Sequence, residues 1–160
     1  MARNVHKMEA TPVLAKRLKV AAYARVSRDG ESMLRSFAAQ VSHYSKHIQS
    51  NPEWEYAGVY ADESLSGCNA ERPEFQRLLA DCRAGLIDLV ITKAINRFAR
   101  NTLTTLEVTR ELKSLGIGVF FEEQNVNTLS AEGEVMLTIL ASVAQNEAQN
   151  VCENIKWLLY

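Results

Sequence analysis

The sequence predicts an α/β fold: a mostly parallel central sheet flanked by helices, with a long projecting C-terminal helix. From Lys19 onward, short apolar runs rich in Val, Ile and Tyr alternate with longer segments of helical period, as in strands joined by crossover helices. The chain has 160 residues, of which 47% are hydrophobic and 23% charged. A chain of this length can bury about two-thirds of its unfolded surface, so one core is expected.

Four strands and three helices are predicted ahead of the last helix. The strands are expected at 19–26, 55–62, 88–93 and 118–123, and the helices at 33–49, 74–84 and 102–115. Pro73 begins a helix, because its missing N–H costs nothing in the first turn. Gly116 follows a periodic segment and is expected to cap the end of that helix.

The last segment, residues 131–160, is predicted to be one long helix. It contains no Pro, has no Gly after Gly133, and its apolar residues recur at helical spacing. A helix of about 26 residues is roughly 40 Å long, which exceeds the width of a domain of this size, so part of it should project and need a partner. The alternative is a shorter helix that frays after Asn150.

Composition excludes several classes of protein. The formal net charge of −1 gives no global reason to bind nucleic acid, so any such claim depends on local clusters of the 18 basic residues. Cys68, Cys82 and Cys152 are odd in number and form no CxxC pair, which argues against a disulfide framework and a zinc cluster. Residues 1–18 are expected to be a flexible arm, and a cytoplasmic location is predicted because no apolar run approaches a membrane span.

The common catalytic motifs are missing. The sequence has no GxxxxGK[ST] loop, no GxGxxG, and no histidine near Ser27 in a triad pattern. His43 and His47 have the i, i+4 spacing of metal ligands, but no third ligand is evident. A solvated helix face is the favoured interpretation of these two histidines, and no metal site is predicted.

Arginines form the most informative pattern. Arg25 precedes Ser27 at the end of the first strand, Arg72 opens a helix, and Arg97 and Arg100 follow the third strand at i, i+3. Alternation along a strand allows Arg25 and Ser27 to face the same side, and residues three apart share a helix face. A cluster of guanidinium groups binds a phosphodiester and offsets the charge of its transition state. It also favours the deprotonated form of a nearby serine.

Each of these residues alone is weak evidence. A lone arginine at a strand end or in a first helical turn is usually a surface residue or an ion-pair partner. Lys93, at the end of an apolar strand, fits a solvated strand end and a phosphate contact equally well. The cluster, and not any single member, therefore carries the prediction.

Four blocks of sequence resemble the serine recombinases, that is the resolvase and invertase catalytic domain. They are "YARVS" (23–27), "YADESLSG" followed by "ERPEFQRLLADCRAG" (60–85), "ITKAINRFARNT" (91–102) and "EGEVMLTILASVAQNEAQNVCENIKW" (132–157). The resemblance extends from Lys19 to Trp157 and is greatest to the catalytic domain of large serine integrases and conjugative-transposon recombinases. It implies a resolvase-type catalytic domain at 19–130 and a dimerisation helix at 131–160, with the chain ending before the DNA-binding domains.

The resemblance also implies a chemistry. Ser27 matches the nucleophile that attacks a DNA phosphodiester, leaving a 5′-phosphoserine and a free 3′-OH. The residues implied to grip the phosphate are Arg25, Arg72, Arg97 and Arg100, with Lys93 as a further DNA contact, and those implied to support the serine are Tyr23, Gln40, Asp62 and Asn96. Strand exchange in this family uses a tetramer on double-stranded DNA and needs neither metal nor ATP.

Three places depart from the family pattern. Asn96 stands where small resolvases often carry Asp, and Asp81 stands where they carry a lysine thought to assist catalysis. Ala148 and Gln149 replace the Ser and Arg that commonly follow the glutamate at 147. The alternative to a recombinase is a non-catalytic α/β module that docks or dimerises through its long helix, with the arginines as surface charge.

Overall fold

The computed structural model describes residues 15–27, 30–64, 72–99 and 101–159. Over these ranges the chain forms a five-stranded sheet in the order β2-β1-β3-β4-β5. Its strands are β1 (Leu18–Ser27), β2 (Trp54–Ser64), β3 (Leu89–Thr92), β4 (Gly118–Phe121) and β5 (Val126–Asn127). The first four strands are parallel, and β5 pairs antiparallel with β4. The predicted mostly parallel α/β architecture is confirmed.

Helices cover both faces of the sheet. They are α1 (Gly30–Ser50), α2 (Pro73–Arg83), α3 (Ile95–Phe98), α4 (Thr102–Ser114) and α5 (Ala131–Leu159). Tyr44 and Ile48 of α1 pack with Val20 and Ala22 on one face. The other face packs side chains of α2, α3 and α4 against the sheet. Central strands that are buried on both sides explain why the strands read as continuous apolar runs.

Helix ends follow the local signals in the sequence. Pro73 is the first residue of α2, as predicted. The Asn101 side chain accepts a hydrogen bond from the Thr104 N–H at 2.8 Å and so caps the start of α4. At its other end, Gly116 adopts a φ of 76° and donates to the Lys113 carbonyl, while the Ile117 N–H reaches the Leu112 carbonyl. These two bonds form a Schellman motif, which confirms the predicted role of Gly116.

Helix α5 covers almost all of the segment predicted to be one long helix. It has 29 residues, which at 1.5 Å per residue is about 43 Å. An ion pair from Lys113 to Glu134 and a hydrogen bond from the Thr102 hydroxyl to Glu147 at 3.3 Å hold its first half against α4. Residues 148–156 are all exposed. The helix continues past Asn150, so the shorter alternative is wrong. Among the residues described, no helix is long and apolar enough to cross a membrane.

Two short elements were not predicted. Helix α3 has four residues and β5 has two, which is too short for either period to be visible in a sequence. Helix α3 ends at Phe98 because Ala99 is extended, with φ −134° and ψ 169°. The helix that holds Arg97 therefore does not extend to residue 100. Because Arg100 lies outside the described residues, its facing the same object as Arg97 stays a prediction.

Candidate active site

A small polar cleft opens at the carboxyl edge of the sheet, where parallel α/β sheets usually bind ligands. Its volume is ≈ 100 Å³. The residues around it come from β1, from α1 and from the segment after β3: Tyr23, Ala24, Arg25, Ser36, Gln40, Tyr44, Lys93 and Arg97. Four of the residues predicted to contact phosphate or support the serine therefore meet Tyr23 here, namely Arg25, Gln40, Lys93 and Arg97.

Helix α1 forms one wall of the cleft. Ser36, Gln40 and Tyr44 are spaced at i, i+4 and i+8, so they lie on one helix face and point at the same region. Ile48, one turn further, is fully buried in the core on that face. Packing of the C-terminal half of α1 thus fixes the direction in which Ser36 and Gln40 are presented.

Arg25 stands at the end of β1, two residues before Ser27. It is half-buried, and its Nε is buried with no hydrogen-bond partner among the residues described. A buried donor on a permanently charged group costs free energy unless a partner arrives. Together with the exposed cations Lys93 and Arg97 on the same cleft, this donor gives the cleft the chemistry of an anion site.

Asp62 lies beside Arg25 in the register of β1 and β2, and it is 3% exposed. Its carboxylate accepts from the backbone N–H groups of Glu74 and Phe75 at 3.0 and 2.9 Å, and from the Tyr23 hydroxyl at 3.1 Å. The carboxylate therefore holds the first turn of α2 against the sheet and joins it to the cleft through Tyr23. Burial, helped by this bond to Asp62, raises the pKa of Tyr23 well above its usual range.

Arg72 directly precedes α2 and does not line the cleft. Its Nη1 donates to the Phe98 carbonyl at 2.9 Å, and its Cζ lies 5.5 Å from the centre of the Phe75 ring. The positive charges of Arg72 and Arg25 both act to lower the pKa of Tyr23, against the larger effect of burial. Tyr23 is thus hydrogen-bonded to Asp62 and lies in the electrostatic field of both arginines.

Other predicted residues are not brought to the cleft. Asn96 is exposed and lines a separate pocket of ≈ 300 Å³ beside the start of α4. Arg100 and the side chain of Ser27 lie outside the described residues, as do residues 65–71 and residues 1–14 of the predicted arm. For Ser27 the backbone is described: it is the last residue of β1 and pairs with Ser64.

His43 and His47 lie on α1 outside the cleft. Their rings stack at 6.1 Å, and Trp54 packs edge-on against His47 at 5.8 Å. Within the described part of the chain, no group of three His, Cys, Asp or Glu side chains is arranged to hold a metal ion. The two histidines are thus part of an aromatic surface cluster.

Asp81, one of the departures from the family pattern, is bound to Tyr60. The Tyr60 hydroxyl donates to Asp81 Oδ2 at 2.5 Å, and the Arg77 guanidinium lies 4.8 Å above the Tyr60 ring. Burial and this bond raise the pKa of Tyr60 to about 12, so the hydroxyl remains a donor. The carboxylate therefore links α2 to β2, away from the cleft.

Sequence reasoning missed Ser36, Tyr44 and Glu122. The Tyr44 hydroxyl donates to Glu122 Oε2 at 2.8 Å and so ties α1 to the turn after β4. The spacing of Ser36 and Tyr44 from Gln40 on a predicted helix was a usable signal. No sequence signal could have identified Glu122, because its approach to Tyr44 depends on the order of the strands in the sheet.

Comparison with known proteins agrees with the fold. The family model for the resolvase N-terminal domain matches residues 20–159. The crystal structure of a resolvase family site-specific recombinase from Streptococcus pneumoniae superposes with a TM-score of 0.72 at 26% identity, covering 88% of this chain and 94% of that one. The N-terminal catalytic domain of TP901-1 integrase gives 0.58 at 26% identity, covering 82% and 97%.

A sequence relative, the R46 site-specific recombinase of Escherichia coli, is 29% identical over 101 residues, which is 61% of this chain and 52% of that protein. The fold and the cleft define an α/β domain with a candidate anion site at the carboxyl edge of its sheet. The chain belongs to the serine recombinase family, in the resolvase N-terminal domain. It spans about half the length of the curated relatives it matches.

Proposed function

We propose that this chain is the catalytic domain of a site-specific DNA recombinase and that Ser27 is its nucleophile. The observation that carries the proposal is the cleft in which Arg25, Lys93 and Arg97 lie beside Gln40. Ser27 ends β1 two residues after Arg25, so the backbone brings it to the same edge of the sheet. Membership in the resolvase family supports this assignment.

The cations suit a phosphodiester substrate. One guanidinium group can donate two parallel hydrogen bonds to two oxygens of a phosphate, and it stays charged at any working pH. The field of these cations favours the alkoxide form of a neighbouring serine and offsets the charge that develops on the phosphate oxygens. Arg72 and Arg100 complete the proposed grip, Arg72 through its position beside Tyr23. Such contacts bind the DNA backbone without reading its bases.

The reaction we propose exchanges one phosphoester for another. Ser27 Oγ forms a bond to phosphorus, the bond from phosphorus to the 3′ oxygen breaks, and the serine proton ends on that oxygen. The products are a 5′-phosphoserine and a free 3′-OH. Rejoining reverses the step with a 3′-OH from another strand, so no external energy source is consumed.

Replacing Ser27 with alanine should abolish a covalent protein–DNA adduct, because alanine has no nucleophilic oxygen. The substrate is a pool of short random duplexes with a sulfur in place of the 3′ bridging oxygen, since the departing thiolate religates poorly and the adduct accumulates. The adduct is detected by mass spectrometry as a nucleotide on the peptide that contains Ser27. Arg97→Ala should reduce its yield on the order of 100-fold, the usual cost of one charge-stabilising donor.

The matched control is Ser50→Ala, which removes a serine hydroxyl at the last residue of α1, the end of the helix that is farther along the chain from Ser27. It should leave the yield unchanged. Adduct formation by the Ser27→Ala protein would reject the mechanism. Binding of the duplexes with no adduct from the unmodified chain would support the non-catalytic module instead.

We further propose that α5 associates with a second copy of the chain, as a dimer that pairs into a tetramer. Val135, Ile139, Val151 and Ile155 are each at least half exposed. They form two pairs spaced at i, i+4, Val135 with Ile139 and Val151 with Ile155, and each pair shares one strip of the helix surface. Fully burying one such side chain is worth about 1.5–3 kcal/mol. Residues 148–156 are all exposed in the described chain, so the strip that holds Val151 and Ile155 is open to a partner.

Changing both Val151 and Ile155 to Glu should therefore weaken self-association more than tenfold, because charges replace the apolar contact. Sedimentation equilibrium measures the effect. The control changes Asn150 and Asn154 to Glu, which adds the same charge on a neighbouring strip of α5. Equal weakening by the control, or a wild-type chain that stays monomeric, would contradict the proposed interface.

A further inference from the structure

Tyr44 links the wall of the cleft to a carboxylate. Its side chain is 4% exposed and lines the cleft together with Arg25, Lys93 and Arg97. Its hydroxyl donates to Glu122 Oε2 at 2.8 Å. Burial, reinforced by this bond, raises the pKa of the hydroxyl well above its usual range, so it stays protonated and remains a donor. A negative charge is thus held at the margin of a site built from positive ones.

Glu122 stands close to one of those cations. Thr92 pairs with Phe121 in the β3–β4 register, and the Glu122 N–H donates to the Thr92 carbonyl, so Glu122 is the neighbour of Lys93 across the sheet. Adjacent strands are about 4.8 Å apart, which puts the Lys93 ammonium within reach of a Glu122 side chain. The Glu122 carboxylate nevertheless accepts its hydrogen bond from the Tyr44 hydroxyl. The Lys93 Nζ instead lies 4.0 Å from Oε1 of the next residue, Glu123.

We propose that Tyr44 is a positioning residue of the cleft, whose hydroxyl keeps the Glu122 carboxylate away from Lys93 and Arg97 so that their charge is available to a phosphate. This inference rests on the proposed function, because it takes the cleft to be the phosphodiester site. Without the hydroxyl, Glu122 becomes a competing anion for the same cations. A carboxylate a few ångströms nearer a bound phosphate at the protein surface weakens its binding on the order of three- to tenfold.

The rival explanation is that the bond merely fastens α1 to the turn after β4. The two explanations differ in one variant. If the hydroxyl restrains a charge, removing that charge repairs its loss. If the hydroxyl only anchors the helix, neutralising Glu122 repairs nothing, since the bond is still missing.

The test measures binding of inorganic phosphate to the whole chain at low ionic strength, by NMR titration of the backbone amides of Gln40, Lys93 and Arg97. Tyr44→Phe should weaken binding roughly three- to tenfold. Glu122→Gln should bind at least as tightly as wild type, because one anion is gone. The double variant Tyr44→Phe with Glu122→Gln should return to wild-type affinity or better.

Tyr60→Phe is the matched control, since Tyr60 is equally buried and its hydroxyl also donates to a carboxylate, but outside the cleft. It should leave phosphate binding unchanged. A double variant as weak as Tyr44→Phe would overturn the inference, and so would wild-type affinity in Tyr44→Phe or no phosphate response at these amides in wild type. Phosphate binding with this pattern but no Ser27 adduct would reject the proposed chemistry and leave the role of Tyr44 standing.

Discussion

Replacing Asp62 with alanine should lower the free energy of unfolding by about 4 kcal/mol, because three buried donors lose their acceptor together. The donors are the N–H groups of Glu74 and Phe75 and the hydroxyl of Tyr23. Water cannot easily replace the carboxylate, which is 3% exposed. The loss is largest at the start of α2, where two backbone groups would be left unsatisfied.

Asp62→Asn removes the negative charge but keeps the size and shape of the side chain. The amide keeps one oxygen, but its NH₂ must face at least one of the three donors, so we expect a loss of about 2 kcal/mol. Urea unfolding of both variants measures the difference. The control is Asp88→Ala, which removes a carboxylate that accepts one backbone N–H, from Lys19 at 3.0 Å, and should cost about 1 kcal/mol. A loss in Asp62→Ala no larger than in this control would contradict the assigned role.

We also expect Asp62→Asn to reduce the activity of the cleft. Arg72 directly precedes α2, and Tyr23 lines the cleft, so the bonds of Asp62 hold both the helix that follows Arg72 and a residue of the cleft wall. The folded fraction of Asp62→Asn should therefore form less of the Ser27 adduct than its stability alone accounts for. An adduct yield that tracks only the folded fraction would show that Asp62 serves the fold and not the site.

Much of the fold was predictable because the strands are buried on both faces. Val20 to Ala24 is an unbroken buried run, and such runs stand out in a sequence even without alternation. Helix ends were predictable where Pro73 and Gly116 carry the signal in their own backbone chemistry. Helix α3 was missed because one helical turn is too short to show a period in the sequence.

The candidate site was predictable only in part. Arg25, Gln40 and Arg97 were identified as single residues, and the sheet order β1 beside β3 brings them together. The contact between Tyr44 and Glu122 joins residues 78 apart in the chain. Its existence depends on which helix covers which face of β4, and no local pattern in the sequence states that. Long-range polar pairs of this kind become visible only once the topology is known.

The substitution Gly133→Ala tests how closely α5 approaches the sheet. Two physical effects predict opposite changes in the free energy of unfolding. Alanine inside a helix is more favourable than glycine by about 1 kcal/mol, so propensity alone predicts that Gly133→Ala stabilises the protein. A Cβ at this position would lie 2.2 Å from the Asn127 carbonyl oxygen and 2.7 Å from backbone atoms of Thr128. These are backbone atoms and cannot rotate away.

We expect the clash to win, with Gly133→Ala lowering the free energy of unfolding by roughly 3 kcal/mol, because overpacking against fixed atoms forces α5 to shift. The shift would strain the ion pair of Lys113 with Glu134, so the packing of α5 against α4 should weaken as well. Gly85→Ala is the comparison: its φ is +76° but nothing lies within 4 Å of the added carbon, so only about 1 kcal/mol of backbone strain is expected. Urea unfolding decides between the effects, since a stabilised Gly133→Ala protein would mean that α5 does not rest directly on the backbone of residues 127–128.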